Sequence, residues 1–201
     1  MARLGIFGGT FDPPHLGHLI MAAEAYHQLD LDRLLWVLTP DPPHKRDKLI
    51  TPLQHRLDML RETLTGDSHF ALCAVDINRP GPHYAVDTVR ILKEQQPGND
   101  WIYLIGGDSL RDLHTWRNPQ ELVVSVNALG VMVRPDVKID LADLEKKTCG
   151  VRAKVKFINA PLIGISATEI RQRVADGLPY RYLVPLEVYK IIYERGLYRI
   201  K

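Results

Sequence analysis

Apolar residues gather in six short runs, at Leu4–Phe7, Leu34–Leu38, Phe70–Val75, Ile102–Ile105, Ala128–Val133 and Val155–Ile158. Each has strand length, and most are separated by segments whose apolar positions recur with helical spacing. That alternation predicts an α/β fold, a doubly wound parallel sheet flanked by helices. His18–Leu29 carries a helical apolar pattern. Thr51-Pro-Leu-Gln54 reads as an N-cap, a proline at the first helical position and a capping-box glutamine, and Asn118-Pro-Gln-Glu121 repeats the device. Ser166-Ala-Thr-Glu169 opens another helix, which Gly177 stops, and Pro185–Arg195 makes a last helix closed by Gly196. Pro135–Gly150 is the least patterned stretch and is expected to be an irregular connection with a short helix at Leu141–Lys147. No internal repeat, low-complexity tract or linker divides the chain, so residues 1–201 are expected to form one domain with a small helical portion from about 166 to 201.

Composition narrows the class. With 201 residues, 45% hydrophobic and 25% charged, the chain can bury a core of its own. The formal net charge is +2, with both signs spread along the chain, so neither nucleic acid nor membrane is expected as the main partner. Cys73 and Cys149 are too few and too far apart for a disulfide framework or a zinc site. Both read as structural, Cys73 within a buried strand, and a cytoplasmic setting is expected. The N-terminus runs into a strand-like segment with no charged n-region and apolar stretch before it, and no window reaches the length of a membrane span.

The candidate chemistry lies in Gly5–Leu19, GIFGGTFDPPHLGHL, at the carboxyl end of the first strand, where a doubly wound sheet binds ligand. Gly8 and Gly9 let backbone approach a ligand, and the helix that follows offers free N–H groups and a positive dipole end to an anion such as phosphate. The spacing fits neither G-x-G-x-x-G nor the P-loop, which disfavours a dinucleotide dehydrogenase and a P-loop NTPase. His15 and His18 lie three apart, so one helical turn brings both imidazoles to the face where that anion would sit. A metal site needs a third ligand that no His-Glu-x-x-His or nearby Cys or carboxylate set supplies, and it ranks below phosphate contact. An ordinary capping or surface pair is the alternative; the neighbouring Gly-Gly-Thr favours function. Late in the chain, Arg171 follows the Ser166–Glu169 capping box, near a helix start where a cation is disfavoured unless an anion offsets it.

Gly8-Gly-Thr-Phe-Asp-Pro-Pro-His15-Leu-Gly-His18 resembles the signature of the nucleotidyltransferase superfamily with an H-x-G-H motif, and Ile165-Ser-Ala-Thr-Glu-Ile-Arg171 is similar to its I-S-S-T-x-x-R pattern, with Ala167 for the second Ser. Within that superfamily, length and intermediate segments resemble the nicotinate mononucleotide adenylyltransferase family over nearly the whole chain. Pro43-His-Lys45 looks like its basic loop after the second strand, Pro82-His-Tyr84-Ala-Val-Asp87-Thr88 like its P-S-Y-T-x-D-T segment, and Ile105-Gly-Gly-Asp108-Ser like its G-x-D turn. Trp116 falls where the family stacks an aromatic on the pyridine ring. The chain departs from the pattern at His83 for Ser, Ala85 for Thr, and Arg117 where an aromatic often follows the Trp.

The resemblance implies a Rossmann-like nucleotidyltransferase fold and adenylyl transfer from ATP to nicotinate mononucleotide, with Mg²⁺ carried by the ATP phosphates, no protein metal site and no covalent intermediate. It implies that His15 and His18 act on the α-phosphoryl oxygens and that Lys45 and Arg171 bind the triphosphate. Gly8, Gly9, Thr10, Phe11, Gly106, Asp108, Ser166 and Thr168 would line the nucleotides, and Tyr84, Ala85, Asp87, Thr88, Trp116 and Arg117 the pyridine mononucleotide. Plainer readings stand beside these: a solvated loop for His44–Lys48, a core aromatic for Trp116, a helix cap for Asp108, and helix surface for Asp87 and Thr88. Phosphopantetheine adenylyltransferase shares both motifs, but its chains are usually shorter and its acceptor has no ring to stack on Trp116. A nucleotide-sensing regulator without turnover is disfavoured by the intact His15, His18 and Arg171.

Overall fold

The computed structural model describes residues 1–42, 49–132, 138–161 and 164–199. The apolar runs become strands β1 (Arg3–Gly9), β2 (Arg33–Leu38), β3 (Phe70–Cys73), β4 (Asp100–Gly106), β5 (Ala128–Met132) and β6 (Val155–Ile158). They form one sheet in the order β3-β2-β1-β4-β5-β6, parallel at every pairing. The helices are α1 (Leu16–Gln28), α2 (Leu53–Leu64), α3 (Ala85–Gln95), α4 (Gly107–Arg111), α5 (Pro119–Ser125), α6 (Leu141–Lys147), α7 (Val151–Lys154), α8 (Ala167–Ala175) and α9 (Leu186–Glu194).

Strand pleating sends alternate residues to opposite layers. Leu4, Ile6, Leu35, Val37, Trp101, Tyr103 and Ile105 join one core with Val86, Val89 and Leu92 of α3 and Leu122 and Val123 of α5. Phe7, Leu34, Trp36, Leu38, Ile102 and Leu104 face the other layer, with Ala22 and Ala25 of α1 and Leu57 and Leu60 of α2. Because the order reverses between β1 and β4, their carboxyl ends open a crevice at the switch point.

A third apolar cluster joins Ile170 and Val174 of α8, Val188 and Ile192 of α9, and Met59, the α2 residue turned toward them. Arg195, just past α9, closes the same seam by donating to Asp58 Oδ2 at 2.7 Å. The ends of α8 and α9 behave as read: Gly177 and Gly196 hold φ of 68° and 59°, which favours glycine. Leu178 N–H then bonds Arg173 O at 2.7 Å, and Leu197 N–H bonds Ile192 O at 3.1 Å. Ser166 caps α8 by accepting the Glu169 N–H at 3.1 Å.

Other local expectations are corrected. The first helix starts at Leu16, with His15 as its cap. Thr51 is not the cap of α2; Pro52 takes that place. The Thr51 backbone is held by groups outside the expected box, its N–H by distant Asp12 and its carbonyl by Arg56, and Gln54 bonds Asp58 instead of closing a box. Asn118 does hold the cap position of α5, at φ 46°, but its amide donates to Glu121 Oε2 at 3.1 Å and makes no bond to the helix N–H groups. Cys73 is half-buried, because β3 is an edge strand. The short helix α7 was not foreseen. Val133, the predicted last residue of the fifth strand, lies outside the described residues. Among the described residues no helix is long and apolar enough to cross a membrane.

Met59 is fully buried between α2 and the two C-terminal helices. Met59→Ala is expected to cost about 2–5 kcal/mol, seen as a lower urea midpoint at unchanged m-value.

Candidate active site

The first motif forms the turn from β1 into α1. His15 caps the helix in extended backbone, φ −148° and ψ 169°. The His15 N–H is accepted by His18 Nδ1 at 3.2 Å, and the two rings stack at 3.6 Å between centroids, 23° apart in plane. An Nδ1 that accepts a backbone N–H carries no proton, so in the neutral ring the proton sits on Nε2, a donor directed away from the cap. Phe11 holds the other side of His18 edge-on at 5.1 Å, and Phe7 does so at 5.9 Å.

The glycines here have steric reasons. A Cβ on Gly9 would stand 2.8 Å from the Phe11 ring, which folds back at φ 46° and is 2% exposed. A Cβ on Gly17 would stand 3.1 Å from the His15 ring and 3.6 Å from the Ile165 carbonyl oxygen. Glycine inside the H-x-G-H pattern therefore keeps clear of the His15 ring, and the second motif lies within van der Waals reach of the same point.

The second motif completes that junction. Arg171 Nη1 donates to the Asp12 carbonyl at 2.7 Å, and Nη2 to Thr168 Oγ1 at 3.3 Å. Ser166 and Thr168 thus flank the α8 start that carries Arg171 onto the first loop, although 159 residues separate Arg171 from Asp12. The expectation that only an anion offsets the Arg171 charge is revised: a carbonyl already does so in part.

Below the loop lie residues to which the sequence reading gave no role. Arg56, 2% exposed, donates to the carbonyls of Thr51 (2.8 Å), Thr10 (3.0 Å), Thr39 (2.9 Å) and Pro40 (2.7 Å). Burial pulls its guanidinium pKa down, and the Asp12 charge opposes that. Asp12 accepts the Tyr198 hydroxyl at 2.8 Å and the Thr51 N–H at 3.2 Å. Burial, then the Asp12 charge, pushes the Tyr198 phenol well above its ordinary value, so it remains a donor. The only sequence signal for Arg56 was a cation among the apolar positions Leu53, Leu57, Met59 and Leu60 of α2.

On the opposite layer, Gly106 caps α4, which corrects the reading of Asp108 as a cap; Asp108 lies in the first turn, its side chain 55% exposed and 3.3 Å from Arg111. Trp116 is half-buried with its edge toward Tyr103, 6.4 Å between centroids. Tyr84 caps α3 and Ala85 begins it. Asp87 pairs with Arg90 at 2.8 Å. Thr88 is interior, not helix surface: 3% exposed, it donates to Asp76 Oδ1 at 2.8 Å, and Arg79 pairs with the same carboxylate at 2.9 Å. Tyr84, Asp87 and Arg117 share an open groove of about 400 Å³ with Arg79 and Arg90. Lys45, with Pro43 and His44, lies outside the described residues.

A parallel sheet in this order, with a histidine-capped helix at its switch point and an arginine from a late helix bound to the same loop, defines a nucleotidyltransferase, and the cytidylyltransferase-like family matches residues 6–173. The chain is 45% identical over 199 residues to the "Probable nicotinate-nucleotide adenylyltransferase" of Thermomicrobium roseum, covering 99% of this chain and 92% of that protein. It is 38% identical over 200 residues to the protein of the same name from Halalkalibacterium halodurans, with coverage of 99% and 92%. The chain belongs to the nicotinate-nucleotide adenylyltransferase family. Its fold is shared by Plasmodium falciparum nicotinic acid mononucleotide adenylyltransferase complexed with NaAD, at a TM-score of 0.81, 22% identity and 98% coverage of both chains.

Arg56→Lys leaves carbonyls of the loop unpaired, because one ammonium cannot reproduce the planar fork. It is expected to destabilise the protein by about 1–3 kcal/mol or more, measured by denaturant unfolding, with Tyr198→Phe shifting the midpoint in the same direction by less.

Proposed function

We propose that this chain transfers the adenylyl group of ATP to nicotinate mononucleotide, forming nicotinate adenine dinucleotide and pyrophosphate for NAD biosynthesis. The observation that carries the reading is that one loop at the end of β1 both leads into the His15–His18 cap and receives Arg171 on its Asp12 carbonyl, in a chain that matches its named relatives over 99% of its length. The 5′-phosphate of the acceptor attacks the α-phosphorus in line; the new P–O bond forms as the bond to the β-phosphate oxygen breaks. A phosphate monoester is already an adequate nucleophile, so positioning and charge stabilisation suffice.

In this reading His18 and His15 donate to the α-phosphoryl oxygens as charge builds there, and Arg171 turns its remaining donors to the triphosphate beside Ser166 and Thr168. Lys45 supplies a second cation. Gly8, Gly9, Thr10 and Phe11 line the nucleotides through their backbone, Gly106 through its place at the end of β4, and exposed Asp108 accepts from ribose hydroxyls. Tyr84, Ala85, Asp87, Trp116 and Arg117 receive the pyridine mononucleotide, with Thr88 behind them through Asp76. Imidazole and guanidinium suit phosphate oxygens better than a hard dication, so Mg²⁺ is proposed to enter on the triphosphate, where it neutralises charge. Two free cysteines suit a reducing cytoplasm. Residues 1–201 act as one unit, since Tyr198 reaches the first loop.

Pyrophosphate release with ATP and a panel of acceptors tests the activity. Nicotinate mononucleotide is expected to exceed nicotinamide mononucleotide strongly in kcat/KM, because the Arg117 guanidinium beside Trp116 pairs with a carboxylate and leaves amide donors unpaired. Equal values would make the enzyme dual-specific, and turnover of phosphopantetheine alone would replace the reading.

His18→Ala is expected to lower kcat by about 10²–10³ if the lost donor resembles one of an oxyanion hole, while both KM values move far less. Near-normal kcat would remove His18 from catalysis.

A further inference from the structure

Tyr103, in the middle of β4, is 7% exposed. A buried phenol ordinarily finds a hydrogen-bond partner, yet no hydrogen bond contributes to its titration. Its oxygen is also not among the fully enclosed, unpaired polar atoms of the described residues. The hydroxyl therefore keeps at most a sliver of exposed surface. Its oxygen lies over Gly8 at the carboxyl end of β1: a Cβ on Gly8 would stand 3.1 Å from it. Any larger residue at 8 would crowd the phenol.

The layer decides which substrate the hydroxyl meets. Tyr103 points into the core that includes Tyr84, Ala85 and Trp116, with Trp116 edge-on to its ring at 6.4 Å and 85°. Phe7 and Phe11, which hold His18, belong to the opposite layer. The phenol thus stands on the aromatic side of the crevice, away from the histidine cap. Burial raises its pKa, with the charge of Asp76 adding to the effect, so it stays protonated and can only help a ligand as a donor or neutral acceptor.

We infer that the Tyr103 hydroxyl donates a hydrogen bond to an oxygen on the nucleoside half of the acceptor mononucleotide, across Gly8 and beside Trp116, and thereby sets acceptor affinity. The inference rests on the reading that this side of the crevice takes a pyridine mononucleotide.

The test is Tyr103→Phe, which keeps the ring that packs the core. KM for nicotinate mononucleotide is expected to rise about 5- to 20-fold, with KM for ATP and the melting temperature near those of the wild type. Quenching of tryptophan fluorescence by the acceptor gives the same shift in Kd without turnover. A loss larger for the acid than for nicotinamide mononucleotide assigns the bond to the carboxylate, and an equal loss assigns it to a ribose oxygen; both uphold the inference. Unchanged acceptor KM and Kd in the variant of an active enzyme overturn it alone and leave the phenol to water. A wild type that neither binds nor adenylylates nicotinate mononucleotide overturns the proposed function and this inference together.

Discussion

Four carbonyl oxygens, from the ends of two parallel strands and the approach to a helix, meet on the guanidinium of Arg56. Buried carbonyls that lack donors are costly. The turns after β1 and β2 must leave the sheet irregularly to make a ligand crevice, so their backbone groups have no ladder to join. Arg56 supplies that ladder's replacement from the side. Its planar fork fixes the loops against each other more tightly than a point charge would, which is why the site depends on a residue that touches no proposed substrate atom.

Asp12 extends the same logic toward the chemistry. Its side chain holds Thr51 and Tyr198, and its carbonyl receives Arg171. Three distant parts of the chain are thereby locked to the loop that carries Phe11 and His15. The histidines then need little further help: the cap geometry sets the His18 tautomer, and Phe7 and Phe11 bracket its ring. Catalysis by positioning demands this kind of rigidity, since a displaced donor no longer meets the charge that forms in the transition state.

Much of this was legible in advance. The strand runs, the glycine stops at 177 and 196, the Ser166 cap and the presence of the two motifs follow from patterns spanning a few residues. The errors have a common cause. Thr51-Pro-Leu-Gln54 has the local form of a capping box, but Arg56 and Asp12 claim the Thr51 backbone. Thr88 looks like one exposed residue of a helix until Asp76 and Arg79 close over it.

The sequence by itself determined the alternation of strand and helix, where several helices stop, and the residue types available for phosphate chemistry. Those properties depend on backbone preference and hydrophobic period, which act within a turn or two. Tertiary structure alone decided which groups meet: Arg56 with Thr10 across 46 residues, Arg171 with Asp12 across 159, and Tyr198 with Asp12 across 186. Side chains that share no local pattern become neighbours only when the layers pack on the sheet, and burial then makes each unpaired polar group costly enough to fix its partner.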